Sequence, residues 1–261
     1  MSSVVDKNDV IFNKKDAIKK LNALLESYIN DPTGKYLKKA NILSFWLKDY
    51  VNYIKLEEKF DPKRNIAYKR GNVVKVGFGF NVGSEYGGLH YAVVLDNKNP
   101  HNSPVVTVVP LTSAKAEKEV HPCNVPLGND LYIRLNSKYN KIQKSLEAEA
   151  EEINKINGLV TSVIDAAKTN LIETDSQVLD AVQELKAKKL ENEKKKKELL
   201  KIGAEISDMK EGSIALVNQI TTISKMRIYD PRNLNGVLSG ISLSEESMEK
   251  INQKVKELFV F

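Results

Sequence analysis

One stretch of the sequence, GSEYGGLHYAVVLD (residues 83–96), places a histidine directly in front of an apolar run. That run has the β-branched composition of a strand. An imidazole changes its charge near neutral pH, so His90 can give or take a proton in a reaction at that pH. His90 is therefore the first candidate for chemistry, with Ser84 and Glu85 as polar residues in the same turn. The alternative is a turn histidine that is held by backbone partners.

Several common catalytic motifs are missing from the sequence. It contains no Walker phosphate loop, no G-x-S-x-G elbow, no HExxH and no CxxC pair. The three histidines, His90, His101 and His121, lack metal-ligand spacing. A single cysteine, Cys123, allows no internal disulfide and no cysteine-rich zinc site. The sequence therefore predicts chemistry without a metal or cofactor, or no chemistry at all.

The composition is that of a globular protein with a basic excess. The 261 residues include 40 Lys and Arg against 34 Asp and Glu, a formal net charge of +6. This excess favours anionic partners, although much of the lysine lies in AKKLENEKKKKELLKIG, where it can simply solvate a helix. No apolar run approaches the roughly 20 residues that span a bilayer, and no N-terminal segment has a signal-peptide pattern. We therefore expect a cytoplasmic protein without a membrane partner.

The elements that must position these residues change along the chain. Apolar residues recur at helical spacing up to Tyr28, NDPTGK interrupts them, and the spacing resumes from Leu43 to Ile54. This pattern predicts an N-terminal helical extension over residues 1–62. From Tyr68 onward, short β-branched segments alternate with Gly, Asn, Pro and Ser, as is typical of a small, strongly bent sheet or barrel.

A long helical segment then interrupts the β-rich part of the chain. Residues 136–210 contain no proline, and a 4-3 apolar spacing from Leu146 to Leu171, with a polar break at Asn157, indicates a coiled coil. A turn at ETDSQ would fold the segment into an antiparallel hairpin in which Asn157 faces Asn192, while Lys189 and Lys196 weaken the seam. One long irregular helical region packed on the body of the protein is the alternative.

The β-type pattern returns after this segment, in GSIALVNQITTISKMRI. The C-terminal stretch LSEESMEKINQKVKELF is amphipathic, with Ser244 as the expected N-cap and four apolar residues on one face. An interrupted β domain that resumes after a helical excursion indicates an insertion into one fold. We therefore expect an α+β protein whose β domain comprises residues 63–135 and 211–261, with residues 136–210 inserted.

Five blocks, in this order, resemble the MazF/PemK family of toxin endoribonucleases. They are YKRGNVVKVGFGFNVGSEYGGLHYAVVLDN, SPVVTVVPLTS, HPCNVPLG, GSIALVNQITTISKMRI and LSEESMEKINQKVKELF. The blocks span residues 67–134 and 211–261 and leave the N-terminal helices and the insertion outside. The resemblance implies a small SH3-like β-barrel with a C-terminal helix. It also implies a homodimer that cuts single-stranded RNA at short sequences and is neutralised by an antitoxin.

The resemblance also implies which residues act. GSEYGG is similar to the family's G-S-E-Q-x-G loop, with Tyr86 at the position of a common glutamine. His90 stands where the family places a catalytic arginine, and Thr112, near the end of PLTS, stands at the second catalytic position. Thr221 replaces the arginine of the family's Q-x-R-T-I core. The implied catalytic residues are His90, Thr112 and Ser84, and the implied RNA-binding residues are Glu85, Tyr86, Phe80, Ser113, Lys115, Gln219 and Arg227.

The two arginine replacements leave two functions open. Cleavage without a metal uses the RNA's own 2′-hydroxyl as nucleophile, and His90 would supply acid or base catalysis in place of an arginine's charge and paired donors. The leading prediction is a metal-independent endoribonuclease that acts on mRNA and is controlled by an antitoxin; DNA is not an expected ligand. One alternative is a catalytically degenerate module of the same fold that binds RNA or antitoxin. A third hypothesis is a structural protein in which the coiled-coil hairpin is the principal interaction element and the barrel is its platform.

Overall fold

The computed structural model describes residues 5–115, 119–170 and 176–260. Within this part, α-helices and antiparallel strands combine in one chain, so the predicted α+β class is confirmed. The contacts divide the chain into two units, residues 1–60 with 78–88, and residues 61–77 with 89–261. The elements are α1 Lys7–Ile29, α2 Leu37–Leu56, β1 Val73–Gly79, β2 Gly88–Val94, β3 Val105–Ser113, β4 Val125–Gly128, α3 Asp130–Asn170, α4 Ser176–Asp208, β5 Ser213–Ala215, β6 Thr221–Ser224, β7 Ile228–Asp230 and α5 Glu245–Phe259.

The first unit is built on helices α1 and α2. Asp6 caps α1, because its side chain accepts a hydrogen bond from a backbone N–H of the first turn at 3.1 Å. The NDPTGK interruption connects the two helices, and across it the rings of Tyr28 and Tyr36 stack with their centroids 5.1 Å apart. The buried residues of α2 are Ala40 and Leu43. The two helices follow the apolar spacing of the sequence, which NDPTGK interrupts.

Residues 78–88 also belong to the first unit. Gly79 has a φ of +92°, and a Cβ there would lie 2.7 Å from Cζ2 of Trp46 on α2. Both the positive φ and the ring contact therefore require glycine at this position. Phe78 and Tyr86 meet edge to face with centroids 5.7 Å apart. Aromatic packing thus ties this turn to the N-terminal helices, and the domain boundary expected after residue 62 stays a prediction.

The strands form one antiparallel sheet in the order β4-β5-β3-β2-β1-β7, and β6 pairs with β3. Strand β3 is the centre of the sheet because it pairs with β2, β5 and β6 along its nine residues. Strands β4 and β7 end the path, and no ladder joins them in the part of the chain that the structure describes. The sheet is therefore open, and these pairings do not establish the closed barrel that the resemblance implies.

The core of the second unit joins the sheet to the helices. Val93 and Val109 from the central strands are fully buried, as is Ile251 of α5. Leu135 of α3 and Ile202 of α4 are also fully buried in the same cluster. Burying one such side chain contributes about 1.5–3 kcal/mol. The two long helices are therefore anchored in this core by the ends that join them to the sheet.

Helix α5 follows the predicted pattern. Ser244 caps it, because its Oγ accepts a hydrogen bond from the backbone N–H of Ser247 at 3.1 Å. The same hydroxyl donates to Asp130 Oδ2 at 2.8 Å. The start of α5 is therefore tied to the start of α3. The four apolar residues of the predicted face, Met248, Ile251, Val255 and Leu258, belong to the core cluster or pack against it.

Helices α3 and α4 run antiparallel and pack against each other, as their ion pairs show. Lys195 pairs with Glu149, and Lys188 pairs with Glu152. Asn192 is buried beside Glu149, whereas Asn157 is exposed. The predicted facing of Asn157 and Asn192 is therefore wrong.

On α3, the residues that face α4 are those predicted at some positions and the preceding residue at others. Ile156 is half-buried where Asn157 was expected, and Glu149 is half-buried where Ala150 was expected. On α4, Lys189 and Lys196 are exposed, so the expected interruption of the seam by these lysines is also wrong. Lys188 and Lys195 lie in the seam instead and are half-buried. A lysine can pack its aliphatic stem in a seam when its ammonium group pairs with a carboxylate, here Glu152 and Glu149. The predicted turn ETDSQ covers residues 173–177, of which 173–175 lie outside the described residues and Ser176 begins α4.

No helix among the described residues combines the length and the apolar run needed to cross a membrane.

Candidate active site

His90 and Thr112 border the same cleft, which has a volume of about 360 Å³. The register of β2 against β3 pairs Ala92 with Pro110 and Val93 with Val109. This pairing brings the end of β2 that carries His90 and the end of β3 that carries Thr112 to the same cleft. Two positions that are 22 residues apart in sequence are thus brought together by strand pairing.

Strand β5 pairs with β3 at Thr112. Thr112 pairs with Ile214, which is buried, and Ser113 pairs with Ser213. Thr112 and Ser113 are themselves half-buried and border the cleft. Lys115 follows at the rim, where it is exposed. Four of the residues singled out from the sequence, His90, Thr112, Ser113 and Lys115, therefore meet at one cleft.

The turn residues lie in the first unit. Glu85 accepts a hydrogen bond from the backbone N–H of Val82 at 3.2 Å, so its carboxylate shapes the turn. The side-chain amide of Asn81 donates to the carbonyl of Tyr86 at 2.7 Å. Ser84 is exposed in this turn. The structure brings Ser84, Glu85 and Tyr86 together as one turn.

Phe80 also belongs to the first unit. The ammonium of Lys39 lies 5.9 Å from the centroid of its ring and 5.4 Å from that of Tyr28. Such a contact joins the face of an aromatic ring to a positive charge. The RNA-binding role expected of Phe80 stays a prediction.

Gln219 and Arg227 lie at the ends of two short 3-10 turns. Val217–Gln219 precedes β6, and Lys225–Arg227 precedes β7. Both side chains are half-buried, and neither is among the residues that border the cleft. Their expected contacts with RNA stay predictions.

Four charged residues that the sequence did not single out also border the cleft: Lys75 of β1, Glu205 and Asp208 of α4, and Lys210 just after α4. Lys75 Nζ lies 2.6 Å from Glu205 Oε1, and the hydroxyl of Tyr91 donates to the same oxygen. Burial, and after it the hydrogen bond to Glu205, raises the pKa of Tyr91 far above its usual range. The phenol therefore remains protonated and keeps donating to Glu205.

The charges of the cleft are mixed. Lysines 75, 115 and 210 contribute three positive charges, and Glu205 and Asp208 contribute two negative ones. The balance is positive, which suits a phosphate, but the Lys75–Glu205 pair already neutralises one lysine. The residues that the structure describes contain no group of three or more His, Cys, Asp or Glu side chains that could hold a metal ion.

The sequence offered unequal signals for the missed residues. Lys75 is the only charged residue of the apolar strand VVKVGFG, and a lysine in such a strand usually pairs with a carboxylate. Glu205 carries no comparable signal, because it is one of many carboxylates in a lysine-rich helix. Its position depends on where α4 meets the sheet, 130 residues after Lys75.

Residues 69–142 match a family model described as the PemK-like, MazF-like toxin of type II toxin-antitoxin systems. The predicted resemblance is therefore confirmed for this segment, which includes His90, Thr112, Ser113 and Lys115. The match ends within α3, so the resemblance of residues 211–261 stays a prediction. A comparison with curated proteins finds no match.

Proposed function

We propose that the protein is a toxin-type endoribonuclease that cuts single-stranded RNA, such as mRNA in the cytoplasm, at short sequences without a metal. The observation that carries this proposal is the shared cleft of His90 and Thr112 within the segment that matches the toxin family. A proton-transfer group and a hydroxyl at one cleft, with lysines beside them, suit attack on a phosphodiester.

The cleft residues have separate tasks in this reaction. The 2′-hydroxyl of the RNA attacks the adjacent phosphorus and must lose its proton, and the departing 5′-oxygen must gain one. His90 takes part in this proton transfer, which is typically worth about 10² to 10⁴ in rate. The hydroxyl of Thr112 orients the phosphate, and Lys115 adds positive charge at the rim. The donor role of Ser84 is part of the same proposal.

The match to a toxin of type II toxin-antitoxin systems also supports the wider proposal. The protein would have a cognate antitoxin and would act as a homodimer built on an SH3-like barrel.

One experiment tests the activity, the need for metal and the cut sequence together. The purified protein is incubated with a long defined RNA in EDTA, and the ends of the products are mapped. We expect discrete cuts by the wild type and loss of cutting by His90→Ala. His121→Ala is the matched control, because His121 does not border the cleft and its Nδ1 accepts the backbone N–H of Cys123 at 3.2 Å.

Two results would contradict the proposal. Equal cutting by wild type and His90→Ala would remove His90 from the reaction. Binding of RNA by the wild type without any products would select the degenerate binding module of the same fold.

A further inference from the structure

Glu205 enters the cleft from α4, outside the segment that matches the toxin family. It is a fixed carboxylate, because Lys75 and Tyr91 both donate to its Oε1. Its side chain is 19% exposed, so the group remains open to a ligand in the cleft. No hydrogen bond to Oε2 occurs among the described residues, which leaves this oxygen as the available proton acceptor.

We infer that Glu205 is the general base of the proposed RNA cleavage and that His90 is the general acid. This inference rests on the proposed function and adds the second proton-transfer group that the reaction needs. Among the described residues that border the cleft, His90 is the one imidazole, and the carboxylates are Glu205 and Asp208. Glu205 is the carboxylate that neighbouring side chains hold in place, whereas Asp208 is exposed.

The placement of the two groups fits an in-line displacement. The attacking and leaving oxygens lie on opposite sides of the phosphorus in such a reaction, so base and acid must approach from different sides. Glu205 reaches the cleft from α4, where Tyr91 of β2 holds it, and His90 reaches the cleft from β2 itself, so the two groups come from different elements.

The proposed step balances in atoms and electrons. The 2′-hydroxyl gives its proton to Glu205 Oε2 as the 2′-oxygen forms a bond to phosphorus. The bond from phosphorus to the 5′-oxygen breaks, and this oxygen takes the proton of the His90 imidazolium. The products are a 2′,3′-cyclic phosphate and a 5′-hydroxyl, with Glu205 protonated and His90 neutral. Exchange of both protons with water restores the site.

The ion pair with Lys75 gives this step an electrostatic advantage. In the resting site, the Glu205 carboxylate neutralises the ammonium of Lys75 at 2.6 Å. When Glu205 takes the proton, its negative charge disappears and the charge of Lys75 is left uncompensated. This positive charge then stabilises the phosphorane as its negative charge develops. Stabilisation that arises only in the transition state accelerates the chemical step.

The inference predicts a bell-shaped dependence of kcat/KM on pH, in which the general base sets the acidic limb and the general acid sets the alkaline limb. The charged and titratable groups around the cleft come from several elements: Lys75 on β1, His90 and Tyr91 on β2, Lys115 after β3, Asp208 and Lys210 at and after the end of α4, and Asp230 on β7, which pairs with Lys75 in the sheet.

The test compares full-length wild type, Glu205→Gln and Glu198→Gln in single-turnover cleavage of one defined RNA in EDTA across pH. Glu205→Gln keeps the shape of the side chain but cannot accept the proton, so we expect a loss of about 10² to 10⁴ in rate and no acidic limb in the pH profile. Glu198→Gln is the matched control, because Glu198 also lies on α4 and pairs with a lysine, Lys138, at 3.1 Å. It should keep the wild-type profile.

A second variant separates chemistry from folding. Glu205→Asp retains a carboxylate that is shorter by one methylene, so it should keep the acidic limb at a reduced rate, whereas a purely structural role would leave the profile of any folded variant unchanged. Wild-type rate and profile in Glu205→Gln, or faster cleavage from tighter RNA binding, would overturn the inference while the proposed function stands. A wild type that yields no products would overturn the proposed function and the inference with it.

Discussion

The ammonium of Lys75 on β1 lies 2.6 Å from the carboxylate of Glu205 on α4. The pair joins the strand that begins the sheet to the end of the second long helix. Both side chains border the cleft that also contains His90 and Thr112. The two long helices therefore do more than extend the chain, because one of them supplies charged groups to the candidate active site.

Replacing Thr112 by valine should lower RNA cleavage about 10- to 100-fold. Valine keeps the β-branched shape that suits β3 but removes the hydroxyl, and a hydrogen bond to a charged group is worth about 1.5–3 kcal/mol. Single-turnover rates measure the loss. Thr107→Val on the same strand is the control, because Thr107 Oγ1 lies 3.0 Å from Thr222 Oγ1 and does not border the cleft. An equal loss in both variants would mean that strand stability, and not the Thr112 hydroxyl, sets the rate.

The Glu149–Lys195 pair should stabilise the packing of α3 on α4. A double-mutant cycle with Glu149→Gln and Lys195→Met is expected to give a coupling free energy of about 0.5–1 kcal/mol at pH 7. The hydrogen bond from Lys195, which outweighs partial burial, lowers the pKa of Glu149. The coupling is therefore complete at neutral pH and disappears as the pH falls through that lowered value.

The exposed Glu193–Lys196 pair on α4 is the control for this cycle. It joins residues of one helix, so its coupling should be smaller, about 0.3–0.5 kcal/mol. Urea unfolding of all variants gives both values. If Glu149 and Lys195 show no coupling at pH 7, the ion pair does not contribute to the register of the two helices.

Replacing Gly79 by alanine should destabilise the first unit by about 2–5 kcal/mol. The positive φ alone costs a non-glycine residue about 1–2 kcal/mol, and the added Cβ would also lie 2.7 Å from the Trp46 ring, where overpacking costs about 1–3 kcal/mol. Trp46 is the only tryptophan of the chain, so its fluorescence reports the unfolding directly.

Gly83→Ala is the comparison for this prediction. Gly83 also has a positive φ, +62°, but an added Cβ would meet no atom within 4 Å. Gly83→Ala should therefore lower the free energy of unfolding only by the backbone cost of about 1–2 kcal/mol. Equal losses at Gly79 and Gly83 would show that the ring contact adds nothing.

Lys225→Met should leave the protein as stable as the wild type at pH 7, or more stable by roughly 1 kcal/mol. Lys225 is fully buried, and its ammonium donates to the carbonyl of Pro100 at 3.2 Å. That carbonyl also accepts the backbone N–H of Ser103 at 2.9 Å, so it keeps a partner in the variant. Methionine fills a similar volume without a buried charge.

The pH dependence of stability provides a second readout for Lys225. Burial, partly offset by Asp96, lowers the pKa of its ammonium in the folded protein. Between this lowered value and the unfolded value of about 10.4, the unfolded chain binds more protons, so the wild type gains stability as the pH rises through that window. Lys225→Met should lack this gain, and Lys98→Met, at an exposed lysine, should retain it. If the stability of Lys225→Met rises with pH as steeply as that of the wild type, the buried lysine is not the source of the gain.

Local pattern in the sequence predicts much of the architecture. Helical spacing indicates both N-terminal helices and the long helical segment, and Ser244 with the apolar face of α5 indicates the C-terminal helix. The resemblance of the sequence blocks is confirmed by the family match over residues 69–142, and two residues that it implied, His90 and Thr112, border one cleft. These features could be predicted because each depends on residues that lie close together in sequence or in one block.

Other features depend on which distant segments meet, and the tertiary structure alone decided them. Apolar spacing on α3 fits two seams that differ by one residue, and the contacts of Glu149 with Lys195 select the one in which Asn157 is exposed. Glu205 reaches the cleft because Ile202, one turn earlier, is buried in the core and fixes the end of α4 against the sheet. Periodicity in a sequence specifies which face of an element is apolar, whereas the packing of separate elements determines which polar groups that element brings to a site.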